Sequence, residues 1–169
     1  MRRSEAVSSG MTLPELLLGV LLLGLLAALG WGSISQCLAR LEVEASARQL
    51  VLGLEQARDA AEASGAPCAL PLSSHGWMAA EAAGLPACRS QDVTLPTAVR
   101  LSHNLPWPLR ISSNGLVLDG GTLVLTADGT DLQRCVVIAL PLGVVRLGKS
   151  TAAPGALPRS SDCVIDPSL

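Results

Sequence analysis

The feature that most constrains the fold is an apolar run near the N-terminus. From Leu16 to Gly32 the chain carries no charged and no strongly polar side chain, and the run continues to Ile34 with only Ser33 interposed. This length approaches the roughly 20 residues that a helix needs to cross a bilayer. Arg2 and Arg3 precede the run, so the positive-inside rule places the N-terminus in the cytoplasm and the C-terminus outside. The run predicts a single membrane helix followed by an exported domain.

The composition is typical of one small domain behind such a segment. The chain has 169 residues, a formal net charge of −2 and a mean hydropathy of +0.45, which is high for a soluble protein. The acidic balance provides no overall positive field that would attract nucleic acid. The chain has no Phe or Tyr and three Trp, which argues against a stacking platform for single-stranded nucleic acid.

A second signal, Gly10-Met11-Thr12-Leu13-Pro14-Glu15-Leu16, lies at the cytoplasmic edge of the run. A carboxylate at the start of an apolar helix is costly in lipid unless it is paired, so Glu15 is a candidate functional residue. The segment resembles the prepilin cleavage motif of type IV pilins and type II secretion pseudopilins. The resemblance implies that a prepilin peptidase cuts between Gly10 and Met11 and that Met11 becomes the N-methylated N-terminus. It also implies that Glu15 neutralises the amino terminus of a neighbouring subunit.

Two residues depart from this motif, and two other interpretations remain. Met11 stands where the family usually has Phe, and Pro14 stands where it usually has an aliphatic residue; proline is tolerated in a first helical turn. Glu15 could instead be a charge that only marks where a signal anchor begins. An ordinary secretory signal is disfavoured, because the run is long and no small-x-small cleavage site follows it.

The chain after the apolar run predicts an α+β fold. Ser64-Gly65 followed by Pro67 ends the helix, and short apolar runs separated by Gly, Asn and Asp turn signals then predict antiparallel meanders. The inward helical stripe is predicted to be Leu38, Leu41, Ala45, Leu50, Leu54, Ala57 and Ala61. The predicted strands are Cys68–Leu72, Trp77–Ala80, Val99–Leu101, Leu109–Ser112, Leu116–Leu118, Thr122–Thr126, Arg134–Leu140 and Val144–Leu147.

This layout divides the chain into four segments. Residues 1–10 are a leader peptide, residues 11–35 a transmembrane or filament-core helix, and residues 36–65 an amphipathic second half of that helix. Residues 66–169 form a β-rich exported domain with a loop-like tail from Ser150. The predicted architecture is pilin-like, with a long N-terminal helix packed on a small antiparallel sheet domain.

The order of elements resembles the GspH/FimT branch of minor pilins and pseudopilins. The shared features are Ala57-Arg58 near the helix end, a Trp-bearing hairpin and a closing Gly143-Val144-Val145-Arg146 strand. The resemblance implies a structural or priming subunit of a type IV pilus or a type II secretion pseudopilus. It implies a bacterial inner-membrane protein with a periplasmic domain, or a subunit of a cell-surface filament. Its implied partners are prepilin peptidase, other pilin subunits and an inner-membrane assembly platform. The alternative is an exported binding domain on a simple signal anchor.

DNA uptake is a further hypothesis that the same branch suggests. Some FimT-like minor pilins bind DNA through a GRxR motif, and Gly143 to Arg146 occupies the comparable place with only the second arginine kept. Arg146 and Lys149 would make a thin patch, and phosphate affinity scales with the number of neutralised charges. A solvated strand end is the alternative. We therefore expect DNA binding not to be the main role.

The five cysteines predict disulfides rather than a metal site. They lack the close CxxC spacing of zinc and redox motifs, and an exported domain favours disulfides. We predict that Cys135 pairs with Cys163 and Cys68 with Cys88, which leaves Cys37 free. The spacing of His75 and His103 relative to these cysteines does not support a metal site.

The sequence also argues against an enzyme. Gly143 to Ser150 formally satisfies GxxxxGK[ST], but its interior is β-branched and apolar, whereas a phosphate-binding loop needs a flexible turn that leads into a helix. No catalytic triad, zinc-protease or paired-carboxylate pattern is recognisable in the sequence. We predict neither a cofactor nor an enzymatic activity.

Overall fold

The computed structural model describes residues 12–140, 142–153 and 155–166, with the backbone alone for residues 27–33. The predicted leader and the predicted cleavage position at Gly10 and Met11 lie outside the described residues. The chain divides into two compact units, with the boundary between Gln36 and Cys37.

A single helix, α1 (Leu13–Ser64), contains 52 residues, most of them Leu, Ala and other strong helix formers. Gly65 takes a φ of +62°, the left-handed conformation that commonly terminates a helix and that glycine adopts without strain. The helix therefore ends where Ser64-Gly65 predicted.

The face of α1 that packs on the sheets begins at Val43. Its buried residues are Val43, Ala47, Leu50, Leu54, Ala57 and Ala61, which confirms the predicted stripe from Leu50 onward. The predicted stripe is wrong before that point, because Leu38 and Leu41 are 55% and 59% exposed and Ala45 is also exposed. At 3.6 residues per turn, Leu41 lies roughly 200° from Val43, on the opposite face of the helix.

In the described residues, ten short strands follow the helix and form three antiparallel sheets. The strands are β1 (Cys68–Leu70), β2 (Leu72–Ser73), β3 (Gly76–Trp77), β4 (Val93–Thr94), β5 (Val99–His103), β6 (Leu109–Ile111), β7 (Gly121–Ala127), β8 (Arg134–Ala139), β9 (Val144–Ser150) and β10 (Cys163–Val164). A five-stranded sheet has the order β10-β9-β8-β7-β5, a three-stranded sheet the order β2-β3-β4, and a two-stranded sheet pairs β1 with β6.

Several predicted strands need correction. Pro71 separates β1 from β2, so Cys68–Leu72 is not one strand. A proline cannot donate a ladder hydrogen bond, which accounts for the break. The predicted strand Leu116–Leu118 is reduced to an isolated bridge between Ile111 and Val117. The tail is not entirely loop, because Ser160–Asp162 form a 3-10 turn that leads into β10.

Trp77 anchors the helix to the three-stranded sheet. Its side chain is fully buried, and its indole Nε1 donates a hydrogen bond to the Leu50 carbonyl at 2.8 Å. The ring lies against Gly53, where an added β-carbon would be 2.7 Å from Trp77 Cδ1 and 3.3 Å from Val93 Cγ2. Gly53 is therefore required for the close approach of the helix and the indole.

We expect Gly53→Ala to destabilise the fold, although alanine favours helices by about 1 kcal/mol over glycine. The indole cannot move away without losing its bond to Leu50, so overpacking should lower the free energy of unfolding by about 1–3 kcal/mol. Denaturant unfolding followed by tryptophan fluorescence measures the change, with the exposed Gln49→Ala as the control. A Gly53→Ala protein at least as stable as the parent would contradict this packing.

Candidate functional site

Glu15 lies in the first turn of α1, beside its N-terminal cap. The backbone N–H groups of Glu15 and Leu16 donate to the Thr12 carbonyl at 3.0 and 3.1 Å, and the Thr12 hydroxyl donates to Glu15 Oε2 at 3.5 Å. Thr12 and Glu15 have the T-x-x-E spacing of a capping box. A carboxylate in the first helical turn is also stabilised by the positive end of the helix dipole. Sequence analysis missed this local role, although the four-residue pattern carries the signal.

The carboxylate of Glu15 is exposed, and within the described residues it forms no ion pair. It is the single charge between Thr12 and Gln36. Within the described residues, Glu15 is thus a carboxylate without an ion-pair partner at the start of an uncharged helical segment.

The first part of α1 exposes aliphatic side chains all around its circumference. Every large apolar residue from Leu13 to Leu26 is at least half exposed, from Leu22 at 50% to Leu13 at 74%. A helix that is apolar on all sides normally requires an apolar environment or apolar neighbours. Among the described residues, no helix combines the length and the hydropathy that a membrane crossing requires. The predicted membrane span over residues 11–35 is therefore not shown.

Two disulfides stabilise the second unit, Cys68–Cys88 and Cys135–Cys163. These are the two pairs that the sequence analysis expected, and Cys37 is an exposed free thiol. The first bond connects β1 to the loop before β4, and the second connects β8 to β10. Because Cys68 and Cys88 are bonded to each other, they cannot serve as metal ligands together with His75 or His103.

A buried arginine joins the helix, the sheet and the tail. The Arg134 side chain is 8% exposed, and it donates from Nε to Glu44 Oε2 at 2.5 Å and from Nη1 to Asp166 Oδ2 at 2.6 Å. Glu44 also accepts from Arg48 on its other oxygen. Burial opposes the charge of Arg134, but the hydrogen bonds that it donates to Asp166 and Glu44 outweigh this effect and raise the pKa of the guanidinium. Arg134 therefore remains charged and holds three chain segments together.

The two residues proposed for DNA binding lie on opposite faces of the five-stranded sheet. Lys149 pairs in register with Arg134, which contacts Glu44 on the helix side. Arg146 pairs with Val137, and both line a cavity of about 340 Å³ on the opposite face of the five-stranded sheet. Residues three apart in a strand point to opposite faces. The structure does not bring Arg146 and Lys149 into one patch.

Lys149 also lies near an acidic residue. The pKa of Asp131 is lowered, chiefly by the hydrogen bond from Arg40 and to a smaller extent by the charge of Lys149. The same segment, Val144 to Ser150, forms strand β9 rather than the loop and helix of a nucleotide-binding site.

These features define a class of protein. It is an α+β protein in which one long N-terminal helix exposes an apolar first part and packs its second part on antiparallel sheets stabilised by disulfides. The α+β fold with a long N-terminal helix and antiparallel sheets was predicted from the sequence, whereas the transmembrane character of the first part of the helix is not shown.

The comparisons with known proteins assign the chain to a family within this class. The family model described as type II transport protein GspH matches residues 46–141, which is 96 of 169 residues. The chain belongs to the GspH family. No curated protein and no solved structure matches it significantly. The predicted resemblance to GspH is confirmed, and membership supports a pseudopilin or pilin-like role in type II secretion. The match covers the packed half of α1 and the sheets as far as the turn after β8; Glu15 lies outside it.

Proposed function

We propose that this chain is a minor pseudopilin, a structural or priming subunit of a type II secretion pseudopilus or a related type IV pilus. A prepilin peptidase cuts it between Gly10 and Met11, and residues 11–35 hold it in the inner membrane before assembly. The domain from residue 36 onward then stands in the periplasm or in the filament. Its partners are other pilin-like subunits and the inner-membrane assembly platform.

The observation that carries this proposal is the exposed carboxylate of Glu15 at the start of a helix segment whose large aliphatic side chains are at least half exposed. Apolar surface of this extent favours burial among other helices or in lipid. A lone carboxylate in such surroundings requires a cationic partner, which the amino terminus of a neighbouring subunit would provide. Family membership, which rests on residues 46–141, supports the same role.

DNA uptake does not receive the same support. A phosphate-binding surface requires several cations on one face, and Arg146 and Lys149 lie on opposite faces of β9. We therefore do not propose DNA binding as the function.

The charge of Glu15 can be separated from its capping role by two substitutions. Glutamine fits a capping box as well as glutamate does, but it carries no charge. Alanine provides neither the capping group nor the charge. If Glu15 pairs with a neighbouring amino terminus, both Glu15→Gln and Glu15→Ala should lower incorporation into sheared filaments by about tenfold, equivalent to roughly 1.4 kcal/mol at one contact. Both variants should still be processed at Gly10.

The comparison between the two variants decides the role of Glu15. Quantitative immunoblots of filament and membrane fractions give the incorporated share, with Gln36→Ala as a control that leaves the first turn unchanged. Normal incorporation of Glu15→Gln together with failure of Glu15→Ala would reduce Glu15 to a helix cap and contradict the assembly role.

A further inference from the structure

The five-stranded sheet buries side chains on both of its faces. Alternate residues of β7 and β8 belong to the main hydrophobic core together with the buried stripe of α1; they are Leu123, Leu125, Val136 and Ile138. The residues between them point to the opposite, outer face of the sheet. Three of these are buried as well although they lie outside the main core; they are Val124, Cys135 and Val137. Another part of the chain must therefore cover the outer face.

Residues 155–166 provide this cover, and we call them the strap. Ala156 lines a cavity of about 520 Å³ together with Val124. Ser160 lines the cavity of about 340 Å³ together with Val137. The strap thus crosses the outer face between two cavities, so its packing on the sheet is loose.

The noncovalent attachment of the strap is mainly polar. Asn104 Nδ2 donates to the Pro158 carbonyl at 3.0 Å, and Asp166 accepts from Arg134 at 2.6 Å. Strand β10 pairs with β9 over two residues. Leu157 is 78% exposed and adds little apolar packing. A short strand and a few hydrogen bonds give less local stability than a packed core, so local opening of the strap costs less than unfolding of the unit.

The two disulfides differ in what protects them. Cys68 and Cys88 are 4% and 5% exposed, and both belong to the main core. Cys135 is fully buried on the outer face, Cys163 in the strap is partly exposed, and neither belongs to the main core. A thiolate must reach a sulfur atom to reduce a disulfide, so the segments that cover the bond decide its rate. Access to Cys68–Cys88 requires opening of the core, whereas access to Cys135–Cys163 requires opening of the strap alone.

We propose that Cys135–Cys163 is a redox-sensitive latch that a dithiol opens while Cys68–Cys88 and the main core stay intact. One thiolate of the dithiol attacks the Cys163 sulfur, the bond to Cys135 breaks, and Cys135 leaves as a thiolate that takes up a proton. The second thiol of the reductant then displaces Cys163 from the mixed disulfide. The protein gains two thiols, and the dithiol loses two electrons and becomes a disulfide. The reductant class is the dithiol of a thiol–disulfide oxidoreductase.

Opening of the latch changes the surface of the second unit. The strap leaves the outer face of the sheet, which exposes Val124 and Val137 to solvent. Apolar side chains that become exposed in this way form a surface for interaction. The main core is unaffected, because the bond between Trp77 and the Leu50 carbonyl lies among other elements. The latch therefore selects between a covered and an uncovered sheet face.

Reduction kinetics of the full oxidised chain in detergent test the proposal. The protein is exposed to dithiothreitol under native conditions, samples are alkylated at intervals, and peptide mass spectrometry gives the reduced share of each disulfide. We expect Cys135 and Cys163 to be alkylated at least about tenfold faster than Cys68 and Cys88, because local opening precedes global opening. Equal rates, or earlier reduction of Cys68–Cys88, would overturn the proposal.

Hydrogen exchange on the same samples follows the strap itself. After reduction of Cys135–Cys163, amides of residues 155–166 should exchange about tenfold faster, while the peptides around Leu50 and Trp77 keep their protection. Unchanged exchange in the strap would show that the disulfide is not a latch. Loss of protection around Leu50 would show that the bond stabilises the whole unit, which also contradicts the proposal.

Paired serine substitutions provide the matched variants. Replacement of both Cys135 and Cys163 by serine should give a folded protein with the exchange pattern of the reduced form, whereas replacement of both Cys68 and Cys88 should disturb the core. A Cys135→Ser/Cys163→Ser protein that fails to fold would overturn the proposal. None of these results depends on cleavage at Met11, so an uncut chain would contradict the proposed function and leave the latch unaffected.

Discussion

Arg134→Ala is expected to lower the free energy of unfolding by about 2–4 kcal/mol. Removing one partner of a fully buried ion pair typically costs about 3–5 kcal/mol, because the remaining charge is left uncompensated. The cost here is expected to be somewhat lower, since Glu44 keeps its bond to Arg48 and Asp166 keeps some contact with water. The measurement is denaturant unfolding of the full chain in detergent, followed by tryptophan fluorescence.

The matched control is Arg100→Ala. Arg100 pairs with Asp128 at 2.6 Å, but the two side chains are 71% and 80% exposed. Exposed pairs contribute about 0–1 kcal/mol, so this variant should unfold nearly as the parent does. Equal stability of the Arg134→Ala and Arg100→Ala proteins would contradict a structural role for the buried cluster.

Gly10→Val is expected to abolish maturation. The prepilin peptidase that the motif predicts recognises the residue before the cut, and a β-branched side chain would not fit where glycine is required. The precursor should accumulate in the membrane fraction and be almost absent from filaments, which is the largest effect expected of any substitution in this chain. Gel mobility and intact mass of the protein from the membrane fraction measure the uncut share.

Ser9→Val is the control for this experiment, because it places the same side chain one residue earlier. We expect it to be processed at close to the normal rate. Normal processing of Gly10→Val would contradict the prepilin interpretation, whatever the behaviour of the control.

Local signals in the sequence were sufficient for the helix and the long strands. Ser64-Gly65 marks the end of α1 because Gly65 adopts the left-handed conformation there. The predicted strand Thr122–Thr126 lies within β7, Gly121–Ala127, since a run of β-branched and aliphatic residues bounded by glycine determines it locally. Such elements depend on the strand and helix preferences of their own residues and on the turn residues that bound them, and both can be identified in the local sequence.

The orientation of the helix could not be read from periodicity alone. Two apolar stripes run along α1, one through Val43 and Leu50 and one through Leu38 and Leu41, at nearly opposite angles. Both have steps of three and four residues. Which stripe is buried depends on where the sheets and Trp77 pack, and this is a tertiary property.

Strand β10 and the cluster around Arg134 were missed for a related reason. β10 has two residues, Cys163 and Val164, which is too short for any periodic signal. The disulfide to Cys135 and the ion pair between Arg134 and Asp166 hold it beside β9. Both contacts join residues about 30 positions apart. The disulfide was predicted, but no local pattern in the tail indicates a strand or the ion pair.

The mature N-terminus of the protein isolated from its own membrane tests the central claim most directly. Intact-mass and fragment mass spectrometry should show a chain that begins with N-methylated Met11 and continues through Glu15 into the apolar helix. A chain that retains Met1, or one cut after the apolar run near Ile34, would contradict the assignment of this protein as a pseudopilin.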